Sequence, residues 1–176
     1  MKYLLEHQES ERLWFRKIRP ADYAGWLAFF QDDEYFAHWQ APRGTAEDEC
    51  TKWYDNQFNR YARDLGGMNA LIEKSSGKLV GHAGLLVQVV DEKEELEIAY
   101  SLLPDFRNKG FATEAARTCK HFAFSRNFSE SLISIISLTN IPSQRVALKN
   151  GMAVEKQTIY KDNPVYVFRI LKETNA

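Results

Sequence analysis

One segment of the chain has the residue types to hold a phosphate group. It reads Glu97-Ile98-Ala99-Tyr100-Ser101-Leu102-Leu103-Pro104-Asp105-Phe106-Arg107-Asn108-Lys109-Gly110-Phe111-Ala112-Thr113. An apolar strand stops at a proline, a polar loop carries two cations and a glycine, and a helical pattern begins. The first N–H groups of a helix have no partner inside the helix, and the helix dipole is positive at that end. A diphosphate can accept those bonds. Arg107 and Lys109 add charge, while Gly110 and Ala112 keep side chains small where a ligand nears the backbone. An ordinary strand-to-helix turn with solvated basic residues would look the same by itself.

The surrounding elements must place this loop. Leu13 to Ile18 reads as a strand ended by Pro20, and Asp22 to Phe30 has helical spacing of Tyr23, Trp26, Leu27 and Phe30. Thr45 and Asp48 form an approximate capping box for a helix to about Arg63, closed by Gly66-Gly67. Strands follow at Asn69–Glu73 and Leu79–Val90, then a charged turn Asp91–Glu94 and a strand Leu96–Leu103. Phe111 to Phe124 is helical, with Phe111, Ala115, Cys119 and Phe122 on one stripe. Leu132–Leu138 is a buried strand and Asn140–Lys149 a short helix with Pro142 in its first turn and Gly151 beyond its end. Val154–Tyr160 and Val165–Leu171 make a last hairpin around Asp162-Asn163-Pro164. The order β-αα-βββ-α-β-α-ββ is a mixed α/β domain, and residues 1–176 read as a single domain without repeat or linker.

The bulk numbers narrow the function classes. The 176 residues suffice for one packed core, and 44% hydrophobic with 27% charged residues is a globular balance. A net charge of -1 advertises no nucleic-acid surface. Cys50 and Cys119 suggest neither a disulfide framework nor a metal site, and the four histidines lack metal spacing. The start, Met1 to Arg12, is too polar for a signal peptide, and no apolar run is long enough for a membrane, so a cytoplasmic location is expected. No Gly-x-Ser-x-Gly and no Walker loop supports a hydrolase or a nucleoside triphosphatase.

Arg107-Asn108-Lys109-Gly110-Phe111-Ala112 resembles the Arg/Gln-x-x-Gly-x-Gly/Ala signature of the GNAT superfamily of N-acetyltransferases. Leu138-Thr139-Asn140-x-x-Ser143, followed by Leu148-Lys149-Asn150-Gly151-Met152, is similar to its ribosomal-protein-alanine N-acetyltransferase branch. The matching element order covers residues 11 to 171, the specific motifs only 97 to 152. The resemblance implies a GNAT fold: a twisted mixed sheet of about seven strands, helices on both faces, and an acyl-CoA cleft where the fourth and fifth strands (Leu96–Leu103 and Leu132–Leu138) splay. It implies acetyl-CoA as co-substrate, no metal, and an amine as acceptor. Backbone groups of Leu102 and Leu103 would pair with the pantetheine arm. Arg107, Asn108, Lys109, Gly110, Phe111, Ala112 and Thr113 would cradle the pyrophosphate, and Asn140 would bond the pantetheine.

Glu97 stands where relatives carry a catalytic glutamate, so the resemblance makes it the base that deprotonates the amine, directly or through a water. It also belongs to an acidic run with Glu92, Glu94 and Glu95, and such residues commonly face solvent. A backbone N–H near Leu102 could stabilise the oxyanion. Many GNAT enzymes place a proton-donating tyrosine on the helix after the fifth strand. Here Ala147 and Leu148 lie near that position, and Ser143 is the nearest hydroxyl, a candidate proton donor that could equally serve the helix start with Asn140 as N-cap. The acceptor is either a protein N-terminal α-amine or a small amine such as a polyamine, to which Asp32-Asp33-Glu34 and Glu47-Asp48-Glu49 would be attractive. Aromatic residues Tyr35, Phe36, His38, Trp39, Trp26, Trp53 and Tyr54 could line the acceptor pocket or simply form core. A module that binds acyl-CoA without turnover, as a sensor or interaction domain, is the competing class. Oligomeric state is open, a homodimer included.

Overall fold

The computed structural model describes residues 1–39 and 44–173, with the side chain of Tyr35 left out. The reading of Tyr35 as an acceptor-pocket or core aromatic thus lies outside what is described. The strands are β1 (Leu13–Lys17), β2 (Gly66–Glu73), β3 (Leu79–Val90), β4 (Lys93–Leu102), β5 (Ser131–Ser137), β6 (Ala153–Tyr160) and β7 (Asn163–Leu171). The helices are α1 (Tyr23–Gln31), α2 (Asp33–Phe36), α3 (Ala46–Ala62), α4 (Phe111–Ser125) and α5 (Ile141–Lys149). One 7-stranded sheet runs in the order β1-β2-β3-β4-β5-β7-β6. Every neighbouring pair is antiparallel except β4 and β5, which are parallel and share a single register pair, Glu97 with Ile133. Those two strands part almost as soon as they meet.

Apolar patterning decides which helix covers which face. The α4 stripe of Phe111, Ala115, Cys119 and Phe122 is buried against Leu13, Phe15, Leu71 and Ile98 on one side of the sheet. Trp26, Phe29 and Phe30 of α1 and Cys50, Tyr54 and Tyr61 of α3 pack on the other side, against Met68, Ala70 and Leu86. The α5 helix lies beside α4, with Ala147 buried against Ile136, Met152 and Phe168. Trp26 and Tyr54 are therefore core, and Trp53 packs on it.

Three boundaries differ from the sequence expectation by two residues or more, each for a backbone reason. Asp91 and Glu92 both take positive φ, so they are the whole turn and the strand resumes at Lys93 rather than Leu96. Lys161 and Asp162 do the same in the last hairpin, which leaves Asn163 and Pro164 inside β7. Gly66 starts β2 instead of ending a helix. Its φ is +70, and a Cβ there would lie 2.0 Å from the Leu85 carbonyl oxygen.

His82 on β3 is fully buried between Trp26 and Trp53, with ring centroids 4.2 and 4.7 Å away. Neither ring nitrogen has a hydrogen-bond partner among the described residues. Burial pushes its imidazole down to about 3 from 6.5. Between those values the unfolded chain binds the extra proton, so stability is full above pH 6.5 and falls as the pH drops toward 3. Chemical denaturation at pH 7 and pH 4.5 should show His82→Leu losing about 2–3 kcal/mol less than the wild type across that interval. Equal losses in the two proteins would show that His82 is not the group that charges.

Candidate active site

Where β4 and β5 diverge, side chains replace the missing backbone ladder. The Ser134 hydroxyl donates to the Ile98 carbonyl at 2.8 Å, and the Ile135 N–H donates to Glu97 Oε1 at 3.3 Å. Beyond these bonds a cleft of about 530 Å3 opens. Glu97, Tyr100, Leu102, Arg107, Asn108, Gly110, Ala112, Thr113, Asn140 and Ser143 all line it. Residues that are far apart in sequence thus meet in one place.

Gly110 is the N-cap of α4 at φ +85, a conformation that costs an L side chain. The left-handed turn opens the helix start toward the cleft. Among the described residues, no protein acceptor takes the N–H of Asn108, Lys109, Gly110, Phe111, Ala112 or Thr113. A row of unpaired amides at the N-terminus of a long helix can donate hydrogen bonds to an anion such as a pyrophosphate. The side chains of this loop behave differently. Phe111 is core, and Lys109 Nζ sits 5.5 Å from the Phe106 ring. Arg107 donates through Nη1 to Asp32 and to Glu34, the latter at 2.7 Å, and through Nε to the Leu102 carbonyl. Its own N–H is bonded to the Pro104 carbonyl.

Strand register sorts the two leucines. The Leu103 N–H donates to the Val80 carbonyl at 3.0 Å, and the Leu103 carbonyl accepts from Phe106. Both backbone groups of Leu103 are therefore engaged by protein. In an antiparallel ladder the alternate residues turn their amides the other way, so Leu102 and Tyr100 present theirs to the β5 edge. The sequence reading had missed Tyr100. Its hydroxyl crosses the cleft to donate to the Ser143 carbonyl at 2.8 Å, and burial raises its pKa.

Glu97 does not share the solvated fate of Glu92 and Glu94. It is 7% exposed and accepts from Gln88 Nε2 at 2.7 Å. Tyr160 in turn donates to Gln88 Oε1 at 3.0 Å, which fixes the orientation of that amide. Burial raises the Glu97 pKa, and the bonds from Gln88 and Ile135 only partly oppose it. A carboxylate so placed is a stronger base than one in water. Asn140 caps α5 by accepting from the Ser143 N–H at 3.1 Å, while its Nδ2 and the Ser143 hydroxyl keep no protein partner among the described residues. Capping and a ligand role are thus compatible. Arg145 and Lys149, one helical turn apart on α5, also line the cleft, with no ion pair among the described residues. Their spacing with Pro142 and Val146 was the available signal in the sequence. No group of three metal-ligating side chains occurs among the described residues.

The acetyltransferase (GNAT) domain family matches residues 12–153. The chain belongs to the GNAT family and is an N-acetyltransferase. An uncharacterized N-acetyltransferase of Bacillus subtilis, YnaD, is 27% identical over 173 residues, covering 95% of this chain and 98% of the relative. Among solved structures, a GNAT acetyltransferase from Bacillus anthracis superposes with a TM-score of 0.75 at 25% identity, over 98% of this chain and 99% of its own. RimL, a ribosomal L7/L12 alpha-N-protein acetyltransferase in complex with coenzyme A, superposes with a TM-score of 0.73 at 14% identity, over 94% and 97% of the two chains. The last likeness is one of fold. It places a ribosomal-protein acetyltransferase among the structural neighbours of this GNAT protein.

Proposed function

We propose that this GNAT protein moves the acetyl group of acetyl-CoA to the N-terminal α-amine of a peptide or protein by direct attack on the thioester. The carrying observation is that unpaired amides at the start of α4 and a buried carboxylate on β4 face one cleft. The amides of Asn108 to Thr113 would hold the pyrophosphate. The Leu102 N–H and the free-edge groups of Tyr100 would pair with the pantetheine arm, the Leu102 carbonyl being held by Arg107, and Asn140 Nδ2 would bond it further along. Glu97 accepts the amine proton, directly or through a water. A backbone N–H of this edge near Leu102 is the donor for the oxyanion, and the Ser143 hydroxyl supplies a proton to the leaving thiolate and regains one from water.

An α-amine, of pKa ~7.7–8.0, needs less help from a base than a lysine-type amine of ~10.4, so one carboxylate suffices. Four residues of the acidic runs that would draw a polycation already have protein partners. Asp32 and Glu34 bond Arg107, Asp48 closes the capping box of α3, and Glu49 pairs with Lys52. Release of CoA thiol decides among acceptors. Hexapeptides with a free N-terminal alanine or serine should be acetylated, and N-blocked peptides carrying an internal lysine should not. Turnover of spermidine alone would return the acceptor to the small amines. Tight CoA binding with no thiol released from any amine would favour a non-catalytic acyl-CoA module.

A further inference from the structure

Residues 32–39 are tied to both walls of the cleft. At one end Asp32 and Glu34 share the Arg107 guanidinium, which also bonds the Leu102 carbonyl on β4. At the other end His38 Nδ1 meets Thr139 Oγ1 at 2.9 Å, just past β5. The His38 carbonyl accepts from Asn163 Nδ2 of β7 at 3.1 Å, and Asn163 is buried. Glu34, His38 and Trp39 of this segment line the cleft. The segment therefore bridges the two strands whose parting makes the site.

We propose that Arg107 is a positioning residue for the acceptor, holding residues 32–39 across the cleft as the roof of the amine site, and that it leaves the cofactor's phosphates to the backbone amides. This rests on the reading of the cleft as an acetyl-CoA site. Charge favours the assignment. Two carboxylates around one guanidinium leave a local negative excess, which repels a phosphate and attracts an ammonium. Geometry favours it too, because a guanidinium that turned toward a phosphate would give up two charge-assisted bonds and a carbonyl. A planar fork that reaches several oxygens at once is a better anchor than an ammonium.

Hydrogen exchange read by mass spectrometry, with CoA affinity from calorimetry, tests this in the full chain. In Arg107→Ala, the amides of residues 32–39 should exchange about tenfold faster, a loss in keeping with one charge-assisted anchor. The Kd for CoA should stay within about twofold, and KM for an N-terminal-alanine hexapeptide should rise about tenfold with kcat little changed. Arg107→Lys should restore part of the protection, since it keeps the charge without the fork. Asp32→Asn with Glu34→Gln should loosen the same segment and leave CoA affinity alone. Unchanged exchange at 32–39 in Arg107→Ala would overturn the proposal, and so would a Kd for CoA weakened tenfold or more. A wild type that binds no CoA would instead count against the reading of the cleft, and the exchange data would then decide the anchoring claim by themselves.

Discussion

Glu97→Gln should lower kcat for peptide acetylation by about 10²–10³, within the range for losing a general base, while the Kd for CoA stays within about twofold. Glutamine keeps the shape of the side chain but cannot take a proton. It also sets a carboxamide against two donors, Gln88 Nε2 and the Ile135 N–H, where the carboxylate had accepted from both. Gln88 can answer by turning its amide, at the expense of its bond from Tyr160. The pH profile separates loss of a base from a packing defect. Burial raises the Glu97 pKa, so the acid limb of kcat in the wild type should lie above the ordinary glutamate value of ~4.3. Below that limb the carboxyl is protonated and inactive, and above it the base is available. The variant should lack this limb. A variant that turns over at the wild-type rate would remove Glu97 from the mechanism.

Gly110→Asp should weaken CoA binding by about 10²–10³, since a carboxylate about 4 Å from a phosphate costs on the order of 4 kcal/mol at an effective dielectric of 20. Aspartate isolates charge from backbone strain. It and asparagine tolerate the left-handed region better than other L residues, and Gly110 has φ +85. Among the described residues, the one heavy atom that a Cβ would meet closely is the far end of Arg12, at 3.3 Å. Gly110→Asn is thus the matched control, with a loss of only a few-fold expected. Calorimetric titration with CoA measures both. Equal affinity of the Asp and Asn variants would show that no phosphate lies near the start of α4.

Local chemistry in this chain was legible, and long-range pairing was not. The capping box of Thr45 and Asp48, the buried stripe of α4 and the glycine at its N-cap are set by neighbours a few residues away. Their spacing reads directly as structure. Arg107 shows the opposite case. The motif gave it a charge, but the carboxylates that hold it stand 75 and 73 residues earlier, and no local pattern announces them. Leu103 could not be separated from Leu102 because strand register depends on which turn precedes the strand. That turn is formed by Asp91 and Glu92, neither of them a glycine. The short helix α2 was likewise invisible, since four residues carry no period. Glu97 was read among acidic neighbours, of which Glu92 and Glu94 are exposed, and its contacts with Gln88 on β3 and Ile135 on the parting strand β5 take it out of that company.

The most direct measurement is the amide spectrum of 15N-labelled protein titrated with CoA. The N–H signals of Asn108 through Thr113 should shift downfield as phosphate oxygens take their open positions, and those of Leu102 and Tyr100 should move with the pantetheine. The Leu103 signal, already bonded to Val80, should move least. Saturating CoA that leaves the 108–113 amides where they were, or shifts only residues outside the β4–β5 cleft, would contradict the site described here.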